Sequence, residues 1–446
     1  MNTSITPPRN HISAFEYQSQ GKSPRIVFGE FSGGTLFLRA DADFEQGRMP
    51  TIFPMTVPTS QDEPFYYSLT EPGDSEYSLA ALWQGKKYPV ILGRSPKGEF
   101  TLSGLGEELR PIQANVFRLG AHSYRMYFWA HFHGTPRKVR MLMAESSDNH
   151  HWQVANDGRP VFCHYSDTLS RQEGFPAWRQ CNDATALYLR DDGSFEVYSA
   201  ALVTLDASSG TRYFQKDIWR GYVRVIQRWT GDGVENWSRP EIIATPDADD
   251  PVDLQMYYLC KTQLPHGAFG LLGRYSVDSQ RMGMEPVWST DGRHWLRPCR
   301  CLLGPDRESP ITCPAQRMVE EGGLFRLYYS CSNYDHSFKT AENRRPETEI
   351  RTATIEKHRL FGAEIHEGTL ISPPLRLATP EMTLYASTDS CLDFHWRNAF
   401  GEIDAQSVSA SRMERGEWHL SLPGAKNGCT GRLEIRGSGT IFDLAY

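Results

Sequence analysis

Two aspartates stand at the same place in two strand-like runs: Asp183 opens DATALYL and Asp253 opens DLQMYYL. Two carboxyl groups brought into one pocket are what cleavage of a glycosidic bond requires. One gives a proton to the leaving oxygen; the other attacks the anomeric carbon or activates water. The matching residues of the runs before and after are Asn115 and Gln316, which are polar but not acidic. Asp also suits turns, because its side chain bonds its own backbone, so each carboxylate has a plain structural reading beside the catalytic one.

Further polar residues fall in the loops HFHGTPRK, VTLDASSGTRYFQKD, YSVDSQRMGM and SNYDHSFKTAENRRPETE. If the runs start on one face, these loops return to that face. They then carry His131, His133, Arg274, Asp278, Tyr334, Asp335 and His336 to its rim as substrate-binding candidates, alongside Asn115 and Gln316. His131 and His133 could hold zinc, but no third ligand at suitable spacing supports this. They read as sugar-hydroxyl contacts or surface residues, and no metal is expected. Asp335-His336 is either an acid/base pair or a loop hydrogen bond. Glu285 and Glu308 are candidates for a third acid or, equally, solvated charges at a sheet edge. No Gly-rich phosphate loop and no G-x-S-x-G elbow is present. Cys299 and Cys301 form a lone C-x-C among nine cysteines, which read as ordinary thiols.

The elements that must position these residues are strands. Helical periodicity is almost absent, while alternation of apolar with β-branched or aromatic residues recurs between Gly, Pro, Asn and Asp turns. Four strand pairs begin at PIQANVFRLG, NDATALYLR, VDLQMYYLC and PAQRMVEEGG. Behind the first three comes a further strand and then a turn of one type: AESSDNHHW, RWTGDGVENW and VWSTDGRHW. The fourth is followed by EIRTATIEKHRLFG, which keeps the strand and loses the turn. Asp bonds its own turn backbone, Gly supplies positive φ and Trp covers the edge of the sheet. Asp148, Asp232 and Asp291 are therefore read as architectural.

A four-stranded unit of about 50–65 residues repeating around an axis is the pattern of a β-propeller. A less regular unit at about 24–105 brings the expectation to five blades over 1–365. From 366 to 446 the runs are short and lack the pattern, which predicts a small β-sandwich. The fold class expected is thus all-β.

With 47 Lys and Arg against 54 Asp and Glu, the net charge is −7. Neither nucleic acid nor an anionic membrane is expected as a partner. No apolar run approaches the ~20 residues that span a bilayer. The start, MNTSITPPRNHISAF, lacks the basic-then-apolar pattern of a secretory signal. A cytoplasmic protein is expected. Aromatics make up 12% of the chain, which suits β cores and sugar-stacking surfaces alike.

The S-x-D-G-x-x-W turns, the closing stretch IRTATIEKHRLFGAEIHEGTLISPPL and the ending GRLEIRGSGTIFDLAY resemble bacterial proteins described as similar to glycosyl hydrolase family 32. These belong with the five-bladed furanosidases, the invertases, levansucrases and arabinanases. The resemblance implies that Asp183 carries over the Asp of a D-S-Q-N-like element, and Asp253 that of a D-L-Y-T-N-like run. It implies a glycoside hydrolase that takes a furanoside or related oligosaccharide as substrate and uses no cofactor. The WMNDPNG-, RDP- and ECP-like elements are absent. That absence keeps a non-catalytic carbohydrate-binding propeller in view. A glycoside phosphorylase is the third reading; it would need a phosphate cradle, for which Arg274 and Arg344-Arg345 are the hints. The terminal sandwich either buttresses the last blade or helps a homo-oligomer form.

Overall fold

A computed structural model describes residues 16–18, 25–28, 32–41, 64–69, 78–83 and 101–103. From 109 to 446 it describes all but 133–137, 149–150, 183, 205–220, 265–266, 301–302, 305–308, 322, 338, 340–346, 399–402, 405–407 and 426. The chain is nearly all-β, with one short α-helix, Thr168–Gln172, among the described residues. No helix among them is long and apolar enough to cross a membrane.

The repeats found in the sequence fold as repeats. The first unit pairs Leu109–Gly120, Ser123–Phe132, Lys138–Ser146 and His151–Val154 in order. The second does the same with Thr185–Leu189, Phe195–Thr204, Tyr222–Gly231 and Glu241–Ala244. In the third, Leu254–Leu264, Gly267–Ser276, Arg281–Ser289 and Trp295–Leu296 follow one another. The fourth joins Ile311–Pro314 and Val319–Glu321 to Leu324–Ser332 and Glu347–Glu356. Its outer strand is Ser32–Asp41, supplied by the N-terminal part of the chain.

The Asp turns close the outer edges as the side-chain chemistry requires. Asp291 Oδ1 accepts from the amides of Arg293 and His294, both at 2.8 Å, and Oδ2 meets His294 Nδ1 at 2.6 Å. Asp148 repeats this with His151. Asp232, whose turn is one residue longer, uses the Asn236 side-chain amide in place of imidazole. Burial would raise these carboxylates, but the donors converging on them outweigh it and hold Asp232 and Asp291 below the usual carboxylate range.

The same turns join neighbouring units. Tyr127 Oη of the first unit donates to Gly233 O of the second at 2.9 Å, and Tyr198 Oη of the second donates to Gly292 O of the third at 2.9 Å. Gly233 and Gly292 have φ of +86° and +72°, and a Cβ there would lie 2.4 and 2.8 Å from those hydroxyls. Only glycine meets both conditions. At the opposite edge the inner strands meet. Tyr188 Oη accepts from Lys261 N at 2.6 Å and donates to Gln316 O at 2.7 Å, so one hydroxyl touches three units. Asn115 Oδ1 accepts from Leu187 N at 3.4 Å, bringing in the first.

Strand Phe361–Ile371 runs across the 365/366 boundary and pairs with the long final strand Thr430–Ala445. That strand also pairs with Glu381–Ala386 and Cys391–Asn398. This sheet has its own apolar cluster, including Leu384, Leu420, Leu433, Ile435 and Leu444. The N-terminal strands Glu16–Gln18 and Arg25–Phe28 pair with Phe361–Ile371.

Candidate functional site

Asp253 lies immediately before the inner strand of the third unit. Its Oδ2 accepts from Ser276 Oγ and, at 3.1 Å, from the amide of Asp278. Its carbonyl accepts from Val277 N at 3.2 Å. The start of the first strand is thereby stitched to the end of the second, and the carboxylate is fixed through one oxygen. Oδ1 has no hydrogen-bond partner among the described residues.

Alternation along a strand puts residue i+2 on the same face. Within Leu254–Leu264, Gln255 and Tyr257 fall at that spacing, and Gln255 pairs across the ladder with Tyr275. Arg224, third residue of the second unit's third strand, is 1% exposed and donates through Nη1 to Gln255 Oε1. Its guanidinium lies 5.4 Å from the Tyr257 ring and 5.5 Å from the Tyr275 ring, within cation–π range. The fourth unit contributes His336, whose Nε2 is 3.0 Å from Tyr257 Oη and whose ring centroid is 4.7 Å from that of Tyr275. Gln280 clips this loop in place: its carbonyl accepts from His336 N at 2.9 Å and its Oε1 from Ser337 Oγ at 2.8 Å. Three units thus place an arginine, a histidine and two tyrosines together, with Asp253 two residues before Gln255 in the chain. A carboxylate beside aromatic faces and fixed donors can bind sugar hydroxyls and act on an adjacent acetal.

Of the residues expected from sequence, Asp253 meets Asp278 through the Asp278 amide, and His336 meets Tyr257 and Tyr275. Asp335 lies next to them in chain but uses Oδ1 to accept from Ser337 N and Lys339 N, the plain loop reading. Tyr334 is buried. Asn115 and Gln316 sit in the inter-unit contacts described above, Asn115 fully buried. Arg274 turns the other way, to Glu285 at 3.2 Å and Asp250 at 3.5 Å. Two carboxylates already neutralise it, so it is not placed as a phosphate ligand. Glu285 is 0% exposed and bound by Arg297, which answers the third-acid question for that residue: it is a buried ion-pair partner and not a solvated edge charge. His131 lies in its strand opposite Val139. Asp183, His133, Glu308, Arg344 and Arg345 lie outside the described residues.

Arg224, Gln255, Tyr275 and Gln280 were not among the sequence candidates. One signal was present. The third strands of the first two units read KVRM and YVRV, so Arg224 occupies a repeated position. Tyr257 and Gln255 stand in the run that Asp253 opens.

No family model matches the chain. No curated protein matches it either. Among solved structures, it is similar to a "Glycoside hydrolase" at 11% identity and TM-score 0.48, covering 73% of this chain and 92% of that one. It is similar to the GH43_1 enzyme from Xanthomonas citri complexed with xylose at 10% identity and TM-score 0.42, covering 72% and 90%. A GH32 β-fructofuranosidase from Bombyx mori aligns at 10% identity and TM-score 0.39 over 95% of this chain and 92% of that one. The last belongs to the family that the sequence resemblance named. At these identities and TM-scores the likenesses carry no argument about activity.

Proposed function

We propose that the chain is a glycoside hydrolase built on a five-bladed propeller with a terminal β-sandwich, acting on a furanoside or related oligosaccharide. The observation that carries this reading is Asp253: a carboxylate anchored by Oδ2, with no partner for Oδ1 among the described residues, opening the strand that carries Tyr257 of the Arg224–Tyr257–Tyr275–His336 group. The Asp278 amide can only donate, so Oδ2 is held as an acceptor. That suits the carboxylate that attacks or activates water better than the acid that gives up a proton. Asp183, which opens the matching run of the preceding sequence repeat, is then assigned as the proton donor. Tyr257 and His336, each part-exposed, supply a face and polar edges for a sugar ring, with the buried Tyr275 packed against both, and no cofactor is needed.

The test is hydrolysis of a panel of 4-nitrophenyl furanosides and pyranosides by the parent, Asp253→Asn and Asp183→Asn. Losses of about 10³-fold or more in kcat are expected for each variant. Full activity in both removes the assignment. Oligosaccharide binding by calorimetry without product, in the parent itself, would replace the enzyme by a binding module.

A further inference from the structure

Two stretches of the third unit must keep their positions for the Asp253–Ser276 contact to exist: the segment entering at Asp253, and strand Gly267–Ser276. Both are tied to the Arg297 guanidinium, and Asp250 also meets Arg300 at 3.3 Å and, more loosely, Arg274 at 3.5 Å. Arg297 Nη1 and Nη2 lie 2.5 and 2.7 Å from the two oxygens of Asp250, which precedes Asp253 by three residues. Arg297 Nε and Nη2 lie 2.8 and 2.7 Å from the two oxygens of Glu285. Glu285 in turn holds Arg274 at 3.2 Å, two residues before Ser276. The side chains of Asp250, Glu285, Arg274 and Arg297 are 1, 0, 12 and 7% exposed. Asp247 and Arg300 extend the group toward the surface, and the charges of the six cancel.

A buried, balanced ion group adds little net stability over apolar residues of similar volume, because desolvating both signs offsets their attraction; its best-attested use is to fix register. Arg297 engages both carboxylates through two-pronged contacts, a geometry lysine cannot reproduce. We infer that Arg297 is a positioning residue: by clamping Asp250 and, through Glu285, Arg274, it sets the contact between Asp253 and Ser276 and so aims Asp253 Oδ1. The catalytic half of this inference rests on the reading of Asp253 given above; the geometric half does not.

The experiment compares the parent, Arg297→Lys and Asp253→Asn on whichever 4-nitrophenyl glycoside the parent turns over, with crystal structures of the parent and Arg297→Lys. Lysine keeps the charge and loses the fork. In Arg297→Lys, kcat is expected to fall about ten-fold or more, with KM within about two-fold, and Asp253 to leave hydrogen-bond distance of Ser276. An unchanged kcat overturns the inference, and so does a retained Asp253–Ser276 contact alongside a lowered kcat. If Arg297→Lys does not fold, Asp250→Asn, which keeps the Arg297–Glu285 fork, takes its place under the same expectations. An inactive parent, or an Asp253→Asn variant as active as the parent, removes the reading of Asp253 instead. The Asp253–Ser276 distance in the lysine variant then decides the positioning role alone.

Discussion

Arg140 and Arg224 occupy the same place in consecutive units, the third residue of the third strand. Arg140 Nε donates to Asp167 Oδ2 at 2.9 Å, and Nη2 lies 2.7 Å from Glu173. Both acids belong to the segment after the first unit, where Asp167 also caps the short helix through Ser170 N. Arg224 instead meets the amide of Gln255 and two tyrosine rings. Four residues further along the same strand, Arg228 is again held by a carboxylate, Glu196, which Lys261 shares. The repeat therefore fixes where a guanidinium emerges, while the segment it meets decides whether it serves as scaffold or faces the candidate site.

The largest effect belongs to Arg140. In Arg140→Met the carboxylate of Asp167, 0% exposed, loses its charge partner. A loss of about 3–5 kcal/mol in unfolding free energy is expected, read by urea denaturation, with activity per folded molecule unchanged. A loss below about 1 kcal/mol would mean that Arg140 is no more structural than an exposed ion pair. Arg224→Lys should show the opposite balance. Losing the planar fork and ring contacts costs about 1–2 kcal/mol, while glycoside turnover or binding falls more than in any Arg140 variant. Equal functional losses in the two variants would erase the distinction.

Acid acts on the carboxylate that holds Arg228. Burial alone would raise the pKa of Glu196, but Lys261 and Arg228 outweigh it and hold it below its ordinary value. A depressed carboxylate contributes stability that is present above its unfolded pKa of about 4.3 and lost as pH falls through the folded value. Below about pH 5 the unfolding free energy of the parent should therefore drop more steeply than that of Glu196→Gln, by at most one proton's worth of slope. Parallel slopes would assign acid sensitivity elsewhere. The smallest effect belongs to the inter-unit hydroxyls: Tyr127→Phe and Tyr198→Phe should each cost about 1 kcal/mol in the same denaturation assay. No change in either would leave the glycine positions to packing alone.

The parts of the fold readable from sequence were those built within a few residues. The Asp turns show this: Asp291, its two amide donors and His294 lie within four consecutive residues, so spacing alone identifies them. The strand order within units followed from the same alternation. Ser32–Asp41 is different, since its partner Glu347–Glu356 lies some three hundred residues away and no local pattern names it. The site was legible in part. Asp253 and His336 stood out as acid and imidazole at strand and loop ends. Arg274 looked the same from sequence yet turned to Glu285 and Asp250.

Sequence by itself determined the all-β class, the repeating unit and its turn chemistry, because turn hydrogen bonds and strand alternation depend on neighbours a few residues apart. Which guanidinium meets carboxylates and which meets an amide and aromatic rings depended on the tertiary structure. Arg140, Arg224 and Arg274 are equally basic in isolation. Their roles were set by partners arriving from other strands and units, whose distance in space no linear spacing encodes.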